Sequence, residues 1–387
     1  MNKQIQELLA RGVAEVIDRK HLEQQLDSGK ELRVKLGIDP TGAKLHLGHA
    51  VVLRILRRFQ DLGHTAVLII GDTTASIGDP SGKSETRPQL TSNEIEKNFA
   101  TYEQQASKVL DGKRLEIRRQ SEWFGKFGLG DVIKEASKLS AGWITSHETF
   151  RNRLKEGRPL ALHELLYPMV QAYDSVAIKA DVELGGLDQK FNLLTGRELM
   201  RSHDLEPQDI LLAKYLVGTD GQKMGKTLNN FIAIEEEPFE MLSKAMTIED
   251  SLILEYFELA TSVPMDEVKA LEQELAAGAN PRDIKKRLAE EIVTLYHGRQ
   301  AAAQASKEWE KIFSNKEKPS EIEEVKVKSE NIVDVLVETK LAPSKSEAKR
   351  LLDQKGVRVN DEVASEETKV ESGALIQVGK RKFIKII

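Results

Sequence analysis

Two short apolar runs, with an amphipathic stretch between them, organise residues 33–70. The runs RVKLGI (33–38) and TAVLII (65–70) are rich in aliphatic and β-branched residues, which predicts two buried strands. Between them, HAVVLRILRRFQDLG (49–63) spaces its apolar residues as a helix does, and Gly63 is suited to end that helix. The apolar stripe comprises Val51, Val52, Ile55, Leu56, Phe59 and Leu62. The pattern therefore predicts a β-α-β unit.

Strands that are apolar on both faces are typical of a parallel sheet with helices on each side. We therefore expect an α/β protein whose first domain is a Rossmann-like, doubly wound parallel sheet. In such a sheet a nucleotide binds at the carboxyl ends of the strands, beside the N-terminus of the first helix. The segments HLGH (46–49) and GDPSGK (78–83) follow the two predicted strands, so they are the first candidates for phosphate contacts.

The pattern becomes mainly helical from about residue 236. Segments such as MDEVKALEQELAAG and PRDIKKRLAEEIVTLYHG are rich in Glu, Leu, Ala and Lys, and Pro and Gly separate them. The charged stretch 314–330 has the composition of a linker. After it, SKSEAKRLLDQKGVRVN predicts a small helix, a turn and a strand, while ALIQVG and KFIKII predict short strands. We expect four parts: a catalytic domain at 1–235, a helical domain at 236–313, a linker at 314–330 and a small α+β module at 331–387.

Composition narrows the classes of function. The chain has 387 residues, 40% of them hydrophobic, which suits two or three globular domains. The absence of cysteine excludes disulfides and thiolate metal sites, and no run approaches the length of a membrane span. A cytoplasmic location is therefore expected. The net charge is −5, yet residues 331–387 carry eleven Lys and Arg against nine Asp and Glu, so nucleic-acid binding would be regional.

Two segments compete as phosphate-binding motifs. SIGDPSGKSETR (76–87) nearly matches a P-loop, but that motif needs four residues between its glycines and Gly78 and Gly82 enclose three. In HLGH, His46 and His49 flank Gly48 at the start of the predicted helix, where N–H groups and the helix dipole favour an anion. A turn capped by histidines explains HLGH about equally well, because short motifs often match by chance.

A basic segment lies about 175 residues downstream of HLGH. KMGKT (223–227) places two lysines around a glycine, where a mobile loop can close over a triphosphate and meet charge that develops on phosphorus. Alone, this segment is typical of a solvated loop. In this order and at this distance, HLGH and KMGKT together resemble the paired signatures of class I aminoacyl-tRNA synthetases. SIGDPSGKSETR would then be a second loop of the same site.

Further motifs resemble one family within this class. The segments GIDPTGAKLHLGH, IGDPSGKSETR, YPMVQAYD, GGLDQKFN and KMGKT occur in the order seen in tyrosyl-tRNA synthetases, and residues 331–387 resemble the α-L RNA-binding module of many bacterial members. The resemblance implies a ligase that uses ATP with Mg²⁺ to form tyrosyl-adenylate and pyrophosphate, and then charges the terminal adenosine of tRNA(Tyr). It also implies anticodon binding by residues 236–313, and a homodimer with its interface at about 123–180.

The resemblance implies roles for individual residues. For the ATP phosphates and the chemical step, it implies Thr41, His46, His49, Lys83, Arg87, Lys223, Lys226 and Thr227. For tyrosine, it implies Asp79, Tyr167, Gln171, Asp174 and Gln189. For the remainder of ATP, it implies Gly37, Asp39, Gly48, Gly186, Asp188 and Met224. Asp79 would receive the amino group of tyrosine, Asp174 its phenol, and Asp188 the ribose of ATP. The spacing of Tyr167, Gln171 and Asp174 also places these three on one helical face.

One position departs from the family, and three alternatives stay open. Lys35 stands where many members have a tyrosine that helps bind the phenol, which leaves Asp174 as the main candidate. Tryptophanyl-tRNA synthetases share the fold, although YPMVQAYD and the C-terminal module favour tyrosine. A small-molecule nucleotidyltransferase would have no use for an RNA-binding module. A non-catalytic RNA-binding protein would have no use for the acidic and aromatic residues that the tyrosine and ribose sites require.

Overall fold

The structure is a computed structural model that describes residues 3–40, 44–81, 91–224, 230–313, 322–379 and 382–387. The chain forms two compact units, Met1–Gly298 and Arg299–Ile387. The predicted boundary at residue 236 lies inside the first unit, and the finer division into catalytic and helical domains stays a prediction.

The first unit is built on one six-stranded sheet of order β1-β6-β5-β2-β3-β4. Its strands are β1 (Val13–Ile17), β2 (Arg33–Ile38), β3 (Thr65–Ile70), β4 (Leu115–Arg119), β5 (Val182–Gly186) and β6 (Asp209–Ala213). Strands β2 to β6 run parallel, and β1 pairs antiparallel with β6. The chain proceeds from β2 to β3 and β4 in one direction, and places β5 and β6 on the other side of β2. The expected doubly wound α/β class is confirmed, and its switch point lies between β2 and β5.

Helices surround this sheet along the whole first unit. They are α1 (Lys3–Leu8), α2 (Arg19–Asp27), α3 (Leu47–Asp61), α4 (Asp72–Ile77), α5 (Ser92–Ala106), α6 (Ser121–Phe124), α7 (Leu129–Ala136), α8 (Ala141–Thr145), α9 (Glu148–Lys155), α10 (Tyr167–Ile178), α11 (Lys190–Arg201), α12 (Pro238–Ala245), α13 (Ile253–Ala260) and α14 (Met265–Ala276). A further helical stretch, α15 (Pro281–Phe313), is interrupted at Gly298, where φ is 84° and ψ is 163°. Among the described helices, none is both long enough and apolar enough to cross a membrane.

The predicted β-α-β unit is confirmed. Strands β2 and β3 have the bounds of the two apolar runs, and residues 66–70 of β3 are fully buried. Helix α3 buries most of its predicted stripe, including Ile55, Leu56 and Phe59, and the chain leaves it through Gly63 at φ 94°. The burial of this stripe fixes the helix against the sheet, so its first turn is held at the carboxyl edge of β2.

Helices α12 to α14 belong to the first unit because polar contacts join α13 to the sheet-forming part of the chain. The buried guanidinium of Arg11 donates to the backbone oxygens of Phe257 at 3.0 Å and Thr261 at 2.7 Å. These oxygens lie at the C-terminal end of α13, where carbonyl groups have no partner within the helix.

The second unit begins with the part of α15 after Gly298, and it contains a five-stranded sheet of order β7-β11-β10-β8-β9 and two further helices. Its strands are β7 (Glu323–Val325), β8 (Val357–Val359), β9 (Glu362–Val363), β10 (Leu375–Val378) and β11 (Lys382–Ile386), and its helices are α16 (Ile332–Glu338) and α17 (Lys345–Asp353). Strand β7 lies inside the stretch 314–330 that we expected to be a linker. It pairs with β11, and Val325 and Val327 pack against the core of the unit, so strand pairing and two apolar side chains order this part of a charged stretch.

Candidate active site

A cavity of about 260 Å³ lies at the switch point, at the carboxyl ends of β2 and β5. Many of the residues predicted for the site line it: Gly37, Asp39, His49, Asp79, Tyr167, Gln171, Asp174, Gly186, Asp188 and Gln189. Segments far apart in sequence therefore meet here, as the parallel topology requires. The predicted residues Thr41, Lys83, Arg87, Lys226 and Thr227 lie outside the described residues.

Helix α10 supplies one wall of the cavity. Tyr167, Gln171 and Asp174 all line it, as their spacing on one helical face predicted. The hydroxyl of Tyr167 donates to Asp39 Oδ2 at 2.9 Å, and the hydroxyl of Thr74 donates to Asp39 Oδ1 at 2.6 Å. Asp39, which we expected at the nucleotide, thus also fixes the ring of Tyr167.

Asp174 is the most deeply placed charge of the cavity, with 1% of its surface exposed. Gln120 Nε2 donates to its Oδ2 at 2.8 Å, and Trp123 Nε1 donates to its Oδ1 at 3.2 Å. Burial raises the pKa of Asp174 to about 7, against the opposing effect of the Lys35 ammonium. Each carboxylate oxygen can accept a further hydrogen bond, so Asp174 can receive a hydroxyl group that enters the cavity.

A second group of acceptors also lines the cavity. The side-chain oxygen of Gln171 is buried and has no hydrogen-bond partner among the described residues. Asp79 accepts from Gln189 Nε2 at 3.0 Å, and Asn192 Nδ2 donates in turn to Gln189 Oε1 at 3.1 Å. A buried oxygen without a donor is costly, and a bound ammonium group would supply one.

The histidines of HLGH shape the start of helix α3. His46 is the N-cap residue: its Nδ1 accepts from the backbone N–H of Gly48 at 3.1 Å, and its own N–H donates to His49 Nδ1 at 3.3 Å. The two rings lie with their centroids 3.9 Å apart. The structure therefore confirms that the histidines of HLGH cap helix α3. This cap is compatible with an anion at the same helix end.

The chain that follows KMGKT returns to HLGH. Leu47 N–H donates to Ile232 O at 3.0 Å, and Ile234 N–H donates to Leu45 O at 3.1 Å. A Cβ atom added to Gly48 would lie 3.2 Å from the sulfur of Met224, so the beginning of KMGKT also contacts this helix end. The structure thus places Met224, and the chain that follows KMGKT, beside HLGH, while residues 225–229 lie outside the described residues.

The loop after β5 presents Asp188 to the cavity. A Cβ atom added to Gly186 would lie 2.7 Å from Asp188 Oδ1, so a larger residue there would displace this carboxylate. The backbone N–H of Asp188 donates to the hydroxyl of Tyr215 at 3.0 Å. This hydrogen bond holds Asp188 at the carboxyl end of the strand.

A cluster of potential metal ligands lies elsewhere in the first unit. One ligand atom each from Asp18, His21 and Asp209 falls within 4.8 Å of the others. Arg197 approaches Asp18 at 3.5 Å and Asp209 at 3.7 Å, and thus already supplies positive charge. We interpret the group as an ion-pair cluster.

Comparison with known proteins decides the family. The profile of the family "tRNA synthetases class I (W and Y)" matches residues 27–314, and that of the S4 domain matches residues 330–376. The tyrosine–tRNA ligase of Carboxydothermus hydrogenoformans is 48% identical over 98% of this chain and 97% of its own. The chain belongs to the tyrosyl-tRNA synthetase family. The corresponding ligase of Thermotoga maritima is 47% identical over 98% of this chain and 96% of its own.

Solved structures agree on the fold of the synthetase. A C-terminally truncated mitochondrial tyrosyl-tRNA synthetase of Aspergillus nidulans has a TM-score of 0.67 at 21% identity, covering 80% of this chain and 93% of its own. The tyrosyl-tRNA synthetase of Archaeoglobus fulgidus, complexed with L-tyrosine, has a TM-score of 0.64 at 23% identity, covering 79% of this chain and all of its own. The tryptophanyl-tRNA synthetase of Plasmodium falciparum has a TM-score of 0.61 at 14% identity, covering 79% of this chain and 88% of its own.

Several residues of the synthetase site escaped sequence reasoning. Gln120, Trp123 and Thr74 take part in the hydrogen bonds that fix Asp174 and Asp39. Gln120 directly follows β4, and a polar residue at the carboxyl end of a parallel strand is the signal that could have identified it. Lys35 does not line the cavity: its side chain is fully buried and pairs with Glu183 at 2.8 Å.

Gly71 gives a direct test of the bonds around Asp39. An added Cβ atom would overlap both Asp39 Oδ1 and Thr74 Oγ1, so Gly71→Ala must displace this network. A misplacement of about 1 Å in the groups that position a substrate can lower the rate by about 100-fold. We therefore expect kcat/KM for tyrosine in pyrophosphate exchange to fall at least about 10-fold. Gly112→Ala is the matched control, since no atom lies within 4 Å of its added Cβ. Equal activity of the two variants would show that the network is dispensable.

Proposed function

We propose that the synthetase binds tyrosine in this cavity with its phenol at Asp174 and its ammonium group at Asp79, Gln171 and Tyr167. The proposal rests on the buried Asp174 carboxylate, which is fixed by two donors and can still accept a hydrogen bond from a hydroxyl group. The acceptor oxygens of Asp79 and Gln171 border the same cavity, which suits an α-amino group. A charged acceptor for the hydroxyl explains selection of tyrosine over phenylalanine, because phenylalanine would leave it without that bond.

ATP would lie beside tyrosine, across the N-terminus of α3. His46, Gly48 and His49 surround this helix end, where backbone N–H groups and the helix dipole favour phosphate oxygens. Asp188 would bind the ribose, and Gly37 leaves open space next to it. The roles of Thr41, Lys83, Arg87, Lys226 and Thr227 stay predictions, as do those of Lys223 and Met224 at the beginning of KMGKT.

The reaction follows from this placement in two steps. The tyrosine carboxylate attacks the α-phosphorus of ATP, a P–O bond forms, and pyrophosphate leaves. A ribose hydroxyl of the terminal tRNA adenosine then attacks the activated carbonyl, and AMP leaves. The enzyme acts by positioning and by stabilising charge, so no covalent enzyme intermediate is required.

We propose that Mg²⁺ arrives with ATP and neutralises charge on its phosphates. The carboxylates of the cavity are already engaged by donors: Asp39 by Tyr167 and Thr74, Asp79 by Gln189, and Asp174 by Gln120 and Trp123. Such carboxylates suit the recognition of hydroxyl and ammonium groups better than the ligation of a resident metal ion.

The partner of the second step is tRNA(Tyr), and we propose that the second unit helps to bind it. Its match to the S4 domain and its exposed cations support this role. Lys345, Lys349 and Arg350 pair with carboxylates on the surface of the unit, at 2.7, 2.6 and 2.7 Å. Exposed pairs contribute little to stability, so RNA phosphates can replace their carboxylates. Anticodon binding by residues 236–313 stays a prediction.

We propose a homodimer whose interface includes residues of the segment 123–180. This segment contains four of the large apolar side chains that are exposed in the described chain: Leu129 (76%), Ile133 (60%), Leu154 (53%) and Leu162 (77%). Apolar side chains concentrated in one segment are typical of an association surface. The cytoplasmic location also stays a prediction.

The most direct test of the proposed function is ATP–pyrophosphate exchange with each of the twenty amino acids. We expect exchange with tyrosine and with no other amino acid. Exchange with tryptophan would favour the tryptophanyl alternative. Exchange with none would contradict the enzymatic function and favour a non-catalytic RNA-binding role.

Asp174→Asn tests the phenol contact. An asparagine would direct its NH₂ group at Gln120 Nε2 or at Trp123 Nε1, both of which are donors, so one existing bond must break. Loss of a hydrogen bond to a charged group weakens binding by about 10- to 100-fold. We expect the ratio of kcat/KM for tyrosine to kcat/KM for phenylalanine to fall by about this factor. Asn152→Ala, outside the cavity, serves as the control. An unchanged ratio would mean that another group binds the phenol.

Removal of the second unit's ordered sheet separates the two steps. Because β7 pairs with β11, the chain should end at Phe313 rather than within the expected linker. We expect this truncated chain to retain tyrosine-dependent exchange, to lose most tRNA charging, and to bind tRNA with a shallower salt dependence. Unchanged charging would show that the module is dispensable, and loss of exchange would show that it supports the catalytic domain.

A further inference from the structure

Lys35 is a fully buried lysine in the central strand of the sheet. It lies on β2, its exposed fraction is 0%, and its ammonium nitrogen is 2.8 Å from Glu183 Oε1 on the neighbouring strand β5. Buried charge pairs are not in general a source of stability, because the loss of hydration offsets their attraction. Its position beneath a specificity site therefore invites a functional explanation.

The ammonium group also holds helix α10. Lys35 Nζ donates to the backbone oxygen of Gln171 at 3.0 Å and to the hydroxyl of Ser175 at 2.9 Å. Ser175 directly follows Asp174, and Gln171 lies one turn before it. Lys35 thus fixes the turn of α10 that carries both the phenol acceptor and an acceptor for the amino group.

Two charged groups act on Asp174 from the sheet beneath it. The ammonium of Lys35 on β2 favours its anionic form, and the carboxylate of Glu183 on β5 disfavours it, while burial is the largest influence. The contacts to Asp174 from α6 and the residue before it, Trp123 and Gln120, are neutral. The two sheet residues therefore act on the phenol acceptor with opposite sign.

We propose that Lys35 is a positioning residue for substrate specificity, whose buried ammonium both holds the Gln171–Ser175 turn of α10 and favours the form of the Asp174 carboxyl group that accepts the phenol of tyrosine. This inference rests on the proposed function of the cavity. It assigns a role to Lys35, at the position where the resemblance to many members of the family implies a tyrosine that helps to bind the phenol. In this chain the side chain acts from beneath the cavity wall through Asp174.

Two single variants test the proposal through the pH dependence of the KM for tyrosine in pyrophosphate exchange. Lys35→Met removes the favourable charge, so the pH below which tyrosine affinity is lost should rise. Glu183→Gln removes the unfavourable charge, so that pH should fall. We expect each displacement to be about half a pH unit or more. In Lys35→Met at pH 7.5 the KM for tyrosine should rise about 10-fold with kcat changed less, and the preference over phenylalanine should decrease.

Controls separate this role from a merely structural one. Lys30→Met breaks an exposed pair with Asp181 near the beginning of β2, and should leave the pH profile unchanged. The proposal would be overturned if the pH below which tyrosine affinity is lost moved in the same direction in Lys35→Met and Glu183→Gln, or moved in neither variant. If Lys35→Met fails to fold, Glu183→Gln decides alone. The proposal would then be overturned if the pH below which tyrosine affinity is lost stayed the same or rose in Glu183→Gln. A wild-type protein that showed no tyrosine-dependent pyrophosphate exchange would instead contradict the proposed function.

Discussion

The burial of one carboxylate constrains the whole site. An anionic side chain withdrawn from water costs several kcal/mol unless donors and neighbouring charges compensate it. Asp174 obtains this compensation from the amide of Gln120, the indole of Trp123 and the nearby ammonium of Lys35. These groups come from α6, the end of β4 and the central strand β2, so their convergence depends on the parallel pairing of β2, β3 and β4.

The same topology explains why a small-molecule site forms at this edge. Strands β2 and β5 are neighbours at the switch point, and the loops after them diverge to opposite sides of the sheet. Gly37 and Gly186 keep the space between these loops open, while Asp39 and Asp188 stand at its borders. Helix α3 begins beside this space, so a polar acceptor region for an amino acid and an anion-binding helix end share one cavity.

The local sequence pattern was sufficient to predict some parts of the structure but not others. Strands β2 and β3 and helix α3 were predictable because their apolar periodicity is encoded within each segment. Strand β7 was missed because its order depends on pairing with β11, about sixty residues away. The site residues on α10 were found through motif and spacing, whereas Gln120, Trp123 and the Lys35–Glu183 pair depend on contacts that no local pattern reveals.

The central claim is that an anionic Asp174 accepts the phenol of tyrosine. The pH dependence of the equilibrium dissociation constant of tyrosine, measured on the wild-type protein without ATP, tests it most directly. Burial raises the pKa of Asp174 to about 7, and the protonated carboxyl is the weaker acceptor. We therefore expect the affinity for tyrosine to weaken as the pH falls from about 8 to about 5.5, and Asp174→Asn to remove this dependence. An affinity that is constant across this range in the wild-type protein would contradict the central claim.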